Sequence, residues 1–178
     1  MPKFVFFDIN ENKIESYKKL LGKFKNTSFF HGSLDKVIEK YDVSVLVSPA
    51  NSFGIMTGGI DRDIASKYPD VVKNVLDKVN QSTYRDSGGR HYIPVGICEA
   101  VLLKNTDANK CLLIAPTMFL PQNIVGTKNV AIAFRAILGK VKVLGNHIIV
   151  ACPCLGTGVG GMSGEESAEQ ISYCLEHF

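Results

Sequence analysis

The sequence lacks several features that would place the protein in a special class. Its 178 residues contain no apolar run long enough to span a membrane and no signal-peptide pattern at the N-terminus. They also contain no internal repeat, low-complexity segment or domain linker. A net charge of +3, evenly spread, is too small to indicate nucleic acid as a partner. We therefore expect one globular domain, residues 1–178, that binds no membrane.

Patterns typical of metal sites and reactive thiols are also missing. Cys152-Pro153-Cys154 is not a Cys-x-x-Cys motif and has no second pair, and the four histidines show no ligand spacing. Because a structural zinc site needs about four ligands, we expect no metal. The sequence indicates neither a histidine partner nor a lowered pKa for any thiol, which argues against a cysteine nucleophile. The odd number of cysteines predicts reduced thiols in a cytoplasmic protein, and a nuclear location is also compatible.

The segment 45–64 combines a strand, a glycine-containing loop and a helix start. The apolar run from Val45 ends at Ser48-Pro49, Asn51 follows, and a helix begins at Gly59-Ile60-Asp61. Open α/β sheets bind ligands beyond the carboxyl ends of their strands. Glycines before a helix let backbone N–H groups approach an anion. The alternative is an ordinary strand-loop-helix corner in which Asn51 is a turn residue.

A second segment repeats this arrangement near the end of the chain. The strand predicted at 148–154 is followed by Gly156-Thr157-Gly158-Val159-Gly160-Gly161, and Ser163 to Glu166 form a capping box for a last helix. One glycine-rich loop is weak evidence for phosphate binding, because glycine also marks plain turns, and no Walker A sequence follows. Two such loops after two strands favour an anion site.

The remaining pattern alternates strands and helices. Apolar runs predict strands at 3–7, 27–31, 94–103 and 111–115, with a possible bulge at Gly96. Apolar spacing and turn residues predict helices at about 12–24, 32–41, 62–67, 69–79 and 130–141, and loops at 81–89 and 119–126. Asp8, at the end of the first strand, is interpreted as a helix cap. Parallel pairing would bring Asp8, Ser33, Asn51 and Gly156 to one sheet edge.

The two glycine loops resemble those of the macro domain family, modules that bind ADP-ribose. Ser48-Pro49-Ala50-Asn51 and Thr57-Gly58-Gly59-Ile60 stand where the family has Asn-Ala-Ala-Asn and Gly-Gly-Gly-Val. Residues 156–161 are similar to its Ser-Thr-Gly-Ile/Val-aromatic-Gly loop around the diphosphate. The resemblance implies a three-layer α/β/α sandwich with a mixed, mostly parallel central sheet. It implies a ligand site formed by Ser33, Leu34, Ala50, Asn51, Thr57, Gly58, Gly59, Ile60, Gly156, Thr157, Gly158, Val159, Gly160 and Gly161.

Two departures from the family pattern concern specificity and positioning. Ser33 replaces the Asp that accepts a hydrogen bond from the adenine amino group, and Asp8 and Asp35 are the nearest alternative acceptors. Gly160 replaces the aromatic residue that covers the distal ribose. Phe53, Met118 and Phe119 are candidates to fill that position.

The resemblance also implies catalytic residues. In family hydrolases the Asn holds the distal ribose hydroxyls, and either a phosphate of the ligand or an acidic residue at the helix start orients a water molecule for attack at the anomeric carbon. Asn51 and Asp61 match these positions, and no metal or organic cofactor is required. Capping of the helix by Asp61 is the structural alternative.

Three hypotheses follow for the function. The first is a hydrolase acting at the distal ribose of ADP-ribosylated protein, of a small ester or of ADP-ribose 1''-phosphate. The second is a module that binds ADP-ribose without turnover. The third, less favoured, is a nucleic-acid or other nucleotide-binding domain that uses the same loops for phosphates. Turnover distinguishes the first from the second, and competition between ADP-ribose and an oligonucleotide distinguishes both from the third.

Overall fold

The computed structural model describes residues 2–103 and 110–178 as strands and helices that mostly alternate. The strands are β1 (Lys3–Asp8), β2 (Thr27–His31), β3 (Val45–Ser48), β4 (Glu99–Leu103), β5 (Lys110–Ile114) and β6 (Ile149–Pro153). The helices are α1 (Glu11–Leu21), α2 (Leu34–Lys40), α3 (Gly59–Lys67), α4 (Val71–Asn80), α5 (Asn129–Leu144) and α6 (Gly164–Glu176). None of these helices combines the length and apolar character needed to cross a membrane.

The strands form one mixed sheet in the order β2-β1-β6-β3-β5-β4. All neighbouring pairs are parallel except β4 with β5, which is antiparallel. The five parallel strands therefore point the same way, and their carboxyl ends meet at one edge. That edge is where the loops after β1, β3 and β6 come together, as the sequence pattern predicted.

Helices cover both faces of the sheet, and the side chains of β1 show the division. Phe4 and Phe6 belong to a core formed with α1, α5 and α6, whereas Val5 and Phe7 belong to a second core formed with α2, α3 and α4. This alternation is the period of two that a strand buried on both faces requires. The predicted three-layer α/β/α sandwich with a mixed, mostly parallel sheet is confirmed.

One predicted strand is wrong in its first half. The segment 94–98 is a turn, because the Ile97 N–H donates to the Pro94 carbonyl at 3.1 Å and Gly96 has φ of +100°. Gly96 is thus a turn residue and not a strand bulge. β4 begins only at Glu99, where pairing with Ile114 becomes possible.

The cap of α1 is also corrected. Asn10 is the N-cap, since its side-chain oxygen accepts from the Asn12 and Lys13 N–H groups. Asp8 instead accepts from the Asn10 N–H at 2.9 Å, which holds the turn before the helix. Ser163 caps α6 as predicted, and Ser33 is the N-cap of α2. The carboxylate of Glu166 connects α6 to the loop after β5, because it accepts a hydrogen bond from the Gly126 N–H at 2.7 Å.

Candidate functional site

A cleft of about 480 Å³ lies at the carboxyl edge of the parallel strands. Both glycine loops line it, together with the residues that follow β1 and β2. Every predicted site residue except Gly161 lines this cleft: Ser33, Leu34, Ala50, Asn51, Thr57, Gly58, Gly59, Ile60, Asp61, Gly156, Thr157, Gly158, Val159 and Gly160. The parallel sheet thus brings together segments that are more than a hundred residues apart in the chain.

The first loop, residues 51–58, is closed by the side chain of Asn51. Its Oδ1 accepts from the N–H groups of Phe53 at 3.1 Å and Ile55 at 3.2 Å, and its Nδ2 donates to the Ile55 carbonyl at 3.0 Å. Asn51 therefore acts as the turn residue that the structural alternative described. One amide N–H remains for a ligand, whereas the amide oxygen already accepts two bonds.

Asp61, in the first turn of α3, is buried although it carries a carboxyl group. Its Oδ1 accepts a 2.6 Å hydrogen bond from the Ser48 hydroxyl at the end of β3. Desolvation raises the pKa of Asp61 to about 6, and the bond from Ser48 acts in the opposite direction. The N-cap position of α3 belongs to Gly58. Asp61 is thus bonded to a strand and is not the cap that the alternative described, whereas its place in the first turn of α3 does suit the helix dipole.

The second loop, residues 156–161, is held by a network of buried groups. The Leu155 N–H donates to the Tyr17 hydroxyl at 3.0 Å, and the Ser167 hydroxyl donates to the Leu155 carbonyl at 2.6 Å. Inside the loop, the Gly161 N–H donates to the Gly158 carbonyl at 3.0 Å. Gly161 is not among the residues that line the cleft, and a Cβ built there would lie 3.0 Å from Nδ2 of Asn123.

Backbone N–H groups of both loops are available for an anion. Within the described residues, no acceptor meets the N–H groups of 157–160 or of 57–61. The second set belongs to the first turn of α3 and the residues before it, where the helix adds partial positive charge. Two sets of unpaired backbone N–H groups thus belong to residues of one cleft, and such groups are hydrogen-bond donors that an anionic ligand can use.

The Gly160 position has no room for any side chain. A Cβ built there would lie 2.5 Å from the Gly156 carbonyl oxygen and 2.8 Å from Cγ1 of Ile124. The loop after β5 occupies the space, since the Ile124 N–H donates to the Gly160 carbonyl at 2.9 Å. Of the three candidates to replace the missing aromatic residue, Met118 lines the cleft. Phe53 and Phe119 are not among the lining residues and pack against Tyr92.

Asp8 and Ser33 lie where the neighbouring strands β1 and β2 end, and both line the cleft. The Ser33 hydroxyl caps α2 by accepting from the Lys36 N–H at 3.5 Å. Asp8 lines the cleft. Asp35 does not, and its carboxylate forms an exposed ion pair with Lys67 at 2.6 Å. Asp8 is therefore the better placed of the two alternative acceptors.

Sequence reasoning missed Lys13, which lines the cleft from α1. Its ammonium group donates to the Thr157 carbonyl at 3.1 Å and lies 3.7 Å from Asp8 Oδ2. The start of α6 packs closely against α1 at Lys13, since a Cβ on Gly164 would lie 2.9 Å from the Lys13 Cα. This packing places Lys13 next to the second loop. The only local signal was a lysine one turn after the cap of α1. Arg62 and Thr117 were missed as well, and both line the cleft.

The cysteines are free thiols, and four of the five are buried. Burial raises the pKa of Cys98 to about 12 and those of Cys152 and Cys154 well above the usual range. Such thiols stay protonated and are poor nucleophiles. Among the described residues, no group of three or more His, Cys, Asp or Glu side chains is arranged to hold a metal ion.

Comparisons with known proteins agree with this architecture. A family model described as Macro domain matches residues 47–171, well over half of the chain. This chain belongs to the macro domain family. An uncharacterized protein of Aquifex aeolicus is 35% identical over 138 residues, which cover 75% of this chain and 73% of that protein.

Solved structures share the fold at low identity. The macrodomain of DarG from Mycobacterium tuberculosis superposes with a TM-score of 0.62 at 20% identity, covering 78% of this chain and 84% of the other. A variant of the Oceanobacillus iheyensis macrodomain, solved with ADP-ribose (ADPR), has a TM-score of 0.60 at 21% identity and covers 79% of this chain and 73% of its own. The chain is thus a macro domain whose structural neighbours include one that holds ADP-ribose.

Proposed function

We propose that residues 1–178 form a single macro domain whose cleft binds ADP-ribose or ADP-ribosylated protein. The observation that carries the proposal is that two sets of unpaired backbone N–H groups, at 57–61 and 157–160, belong to residues that line one cleft. They suit the diphosphate that joins the adenosine of ADP-ribose to its distal ribose. The Oceanobacillus relative with ADP-ribose supports the same choice of ligand.

We further propose that the domain hydrolyses a bond at the distal ribose, with Asp61 as general base. Asp61 takes a proton from a water molecule, the water oxygen bonds to the anomeric carbon, and the bond to the leaving group breaks. The leaving group, a carboxylate of a protein or ester or the phosphate of ADP-ribose 1''-phosphate, departs with the bonding electrons. A carboxyl group with a pKa of about 6 is ionised at neutral pH and is basic enough to accept the proton. No metal or organic cofactor enters this scheme.

The amide of Asn51 has a limited part in this chemistry. Only one N–H of its side chain is left after the three bonds within its own loop. Its proposed roles are to hold the loop in shape and to donate one hydrogen bond to a ribose hydroxyl.

Calorimetric titration with ADP-ribose is the first test. Wild type should bind, Asn51→Ala should lose at least tenfold in affinity because the loop is no longer closed, and Asp61→Asn should bind within about threefold. Asp35→Asn is a matched control, because that carboxylate lies outside the cleft. Absence of heat with millimolar ADP-ribose would reject the ADP-ribose proposal.

Release of ADP-ribose from ADP-ribosylated protein, and of phosphate from ADP-ribose 1''-phosphate, then tests hydrolysis. Loss of a general base costs about 10²–10⁴ in rate, so Asp61→Asn should be nearly inactive while it still binds. A wild-type protein that binds but releases nothing would support the second candidate, a reader without turnover. The saturated Asn51 oxygen and the closed space at Gly160 favour that candidate.

A further inference from the structure

Ser48 and Asp61 form a buried pair beside the cleft that the proposed binding site does not explain. Ser48 is the last residue of β3 and 1% exposed, and it is not among the residues described as lining the cleft. Asp61 is 8% exposed and does line it. The Oγ to Oδ1 distance of 2.6 Å is that of a strong, charge-assisted bond. Ser48 can therefore influence a ligand only through Asp61.

The bond fixes the orientation of the carboxylate. In the part of the chain that the structure describes, the Ser48 hydroxyl is the only donor that meets Asp61. A donor on Oδ1 restricts rotation about the bond between Cβ and the carboxyl carbon. It leaves Oδ2 as the oxygen available to a water molecule or a ligand in the cleft.

We propose that Ser48 is a positioning residue that aims Oδ2 of Asp61 into the cleft and keeps the carboxylate ionised for proton transfer. The inference rests on the proposed hydrolysis. Ser48, a serine at the end of β3 where the family pattern has an asparagine, would then affect the reaction through Asp61 and without contact with the substrate.

Protonation of Asp61 depends on few groups. Burial favours the neutral carboxylic acid, and the Ser48 bond favours the carboxylate. The other described charged side chains that line the cleft are Asp8 and Lys13, which lie 3.7 Å apart, and Arg62 and Asp63, which lie 3.9 Å apart. Each of these charges thus has a partner of opposite sign, and Ser48 remains the group that opposes the desolvation of Asp61.

Direct titration of Asp61 tests the proposal without any substrate. The ¹³C resonance of its carboxyl carbon, assigned with Asp61→Asn, would be followed against pH in wild type, Ser48→Ala and Ser48→Thr. Ser48→Ala should move the midpoint upward by about one pH unit, because a hydrogen bond to the charged form is lost. Ser48→Thr keeps the hydroxyl and should restore the wild-type midpoint.

Two further variants serve as a control and as a replacement if Ser48→Ala does not fold. Ser52→Ala removes a buried hydroxyl of the loop that follows β3, one that donates to the Met118 carbonyl at 3.4 Å, and should leave the Asp61 midpoint unchanged. If Ser48→Ala does not fold, Ser48→Cys replaces it, since a thiol is a weaker donor, and its midpoint should lie above wild type. An unchanged midpoint in the folded variant would overturn the role of Ser48.

The pH dependence of the hydrolysis rate tests whether the Ser48–Asp61 bond affects turnover. For Ser48→Ala the acid limb of kcat/KM, which reports the free enzyme, should move upward by the same interval as the NMR midpoint, while ADP-ribose affinity at pH 8 stays within about twofold of wild type. A wild-type protein with no turnover would overturn the proposed hydrolysis and the positioning role of Ser48 together. Turnover with an unmoved acid limb would overturn Ser48 alone.

Discussion

The two loops that line the cleft are stabilised in opposite ways. The loop after β3 is closed by its own Asn51 and leads to the buried, ionisable Asp61. The loop after β6 is supported from outside by Tyr17 and Ser167, on helices α1 and α6. Desolvation raises the pKa of Tyr17 well above its usual range, so its hydroxyl stays neutral. The first loop should therefore respond to pH and the second should depend on packing.

The largest expected effect is a pH dependence of stability that originates at Asp61. Its pKa is raised from 3.8 to about 6 on folding, so the folded state binds the proton more tightly than the unfolded chain. The stability from this proton is fully present below pH 3.8 and is lost as pH rises through about 6. The loss amounts to at most about 3 kcal/mol.

Denaturant unfolding of wild type and Asp61→Asn between about pH 3.5 and pH 8 measures this contribution. The difference in unfolding free energy should change in favour of the variant as pH rises, because the amide that replaces the carboxyl group carries no charge. A difference that stays constant over this range would show that Asp61 does not titrate as described.

A substitution at Gly160 should have the next largest effect and acts on the second loop. Gly160→Ala would place a methyl group 2.5 Å from the Gly156 carbonyl oxygen and should cost about 2 kcal/mol of unfolding free energy. Gly158→Ala is the matched control, because a Cβ there meets nothing within 4 Å, and it should cost under about 0.5 kcal/mol. Equal stability of the two variants would contradict the tight packing at Gly160.

The smallest of the three effects is expected from Tyr17→Phe. The change removes the acceptor of the buried Leu155 N–H and should cost about 1.5 kcal/mol. It should do so equally at pH 4 and pH 8, unlike the effect of Asp61. Tyr41→Phe is the control, since its hydroxyl has no partner among the described residues, and thermal unfolding compares the two. A pH-dependent cost of Tyr17→Phe would remove the contrast between the loops.

Local sequence patterns predicted most of the fold and the location of the cleft. Apolar runs that end in Pro, Asn or Gly marked the strands, and their parallel order brought the loops to one edge. The error at 94–98 arose because an apolar segment can also form a turn beside a positive-φ glycine.

Contacts between distant parts of the chain were not predictable in this way. Nothing around residue 13 shows that Lys13 reaches the Thr157 carbonyl, and the Ser48–Asp61 bond depends on where α3 lies against β3. The lack of an aromatic residue at 160 was visible in the sequence. Its reason, the loop at Ile124 that fills the space, was visible only in the fold.

The three hydrogen bonds of Asn51 have a consequence for how a ligand arrives. A loop without them would sample many conformations, and each binding event would have to restrict them at a cost in conformational entropy. Here that restriction is made once, when the chain folds, for the segment 51–55 that the Asn51 bonds close. Association with an anion should then occur in one step, with an observed rate that rises linearly with ligand concentration.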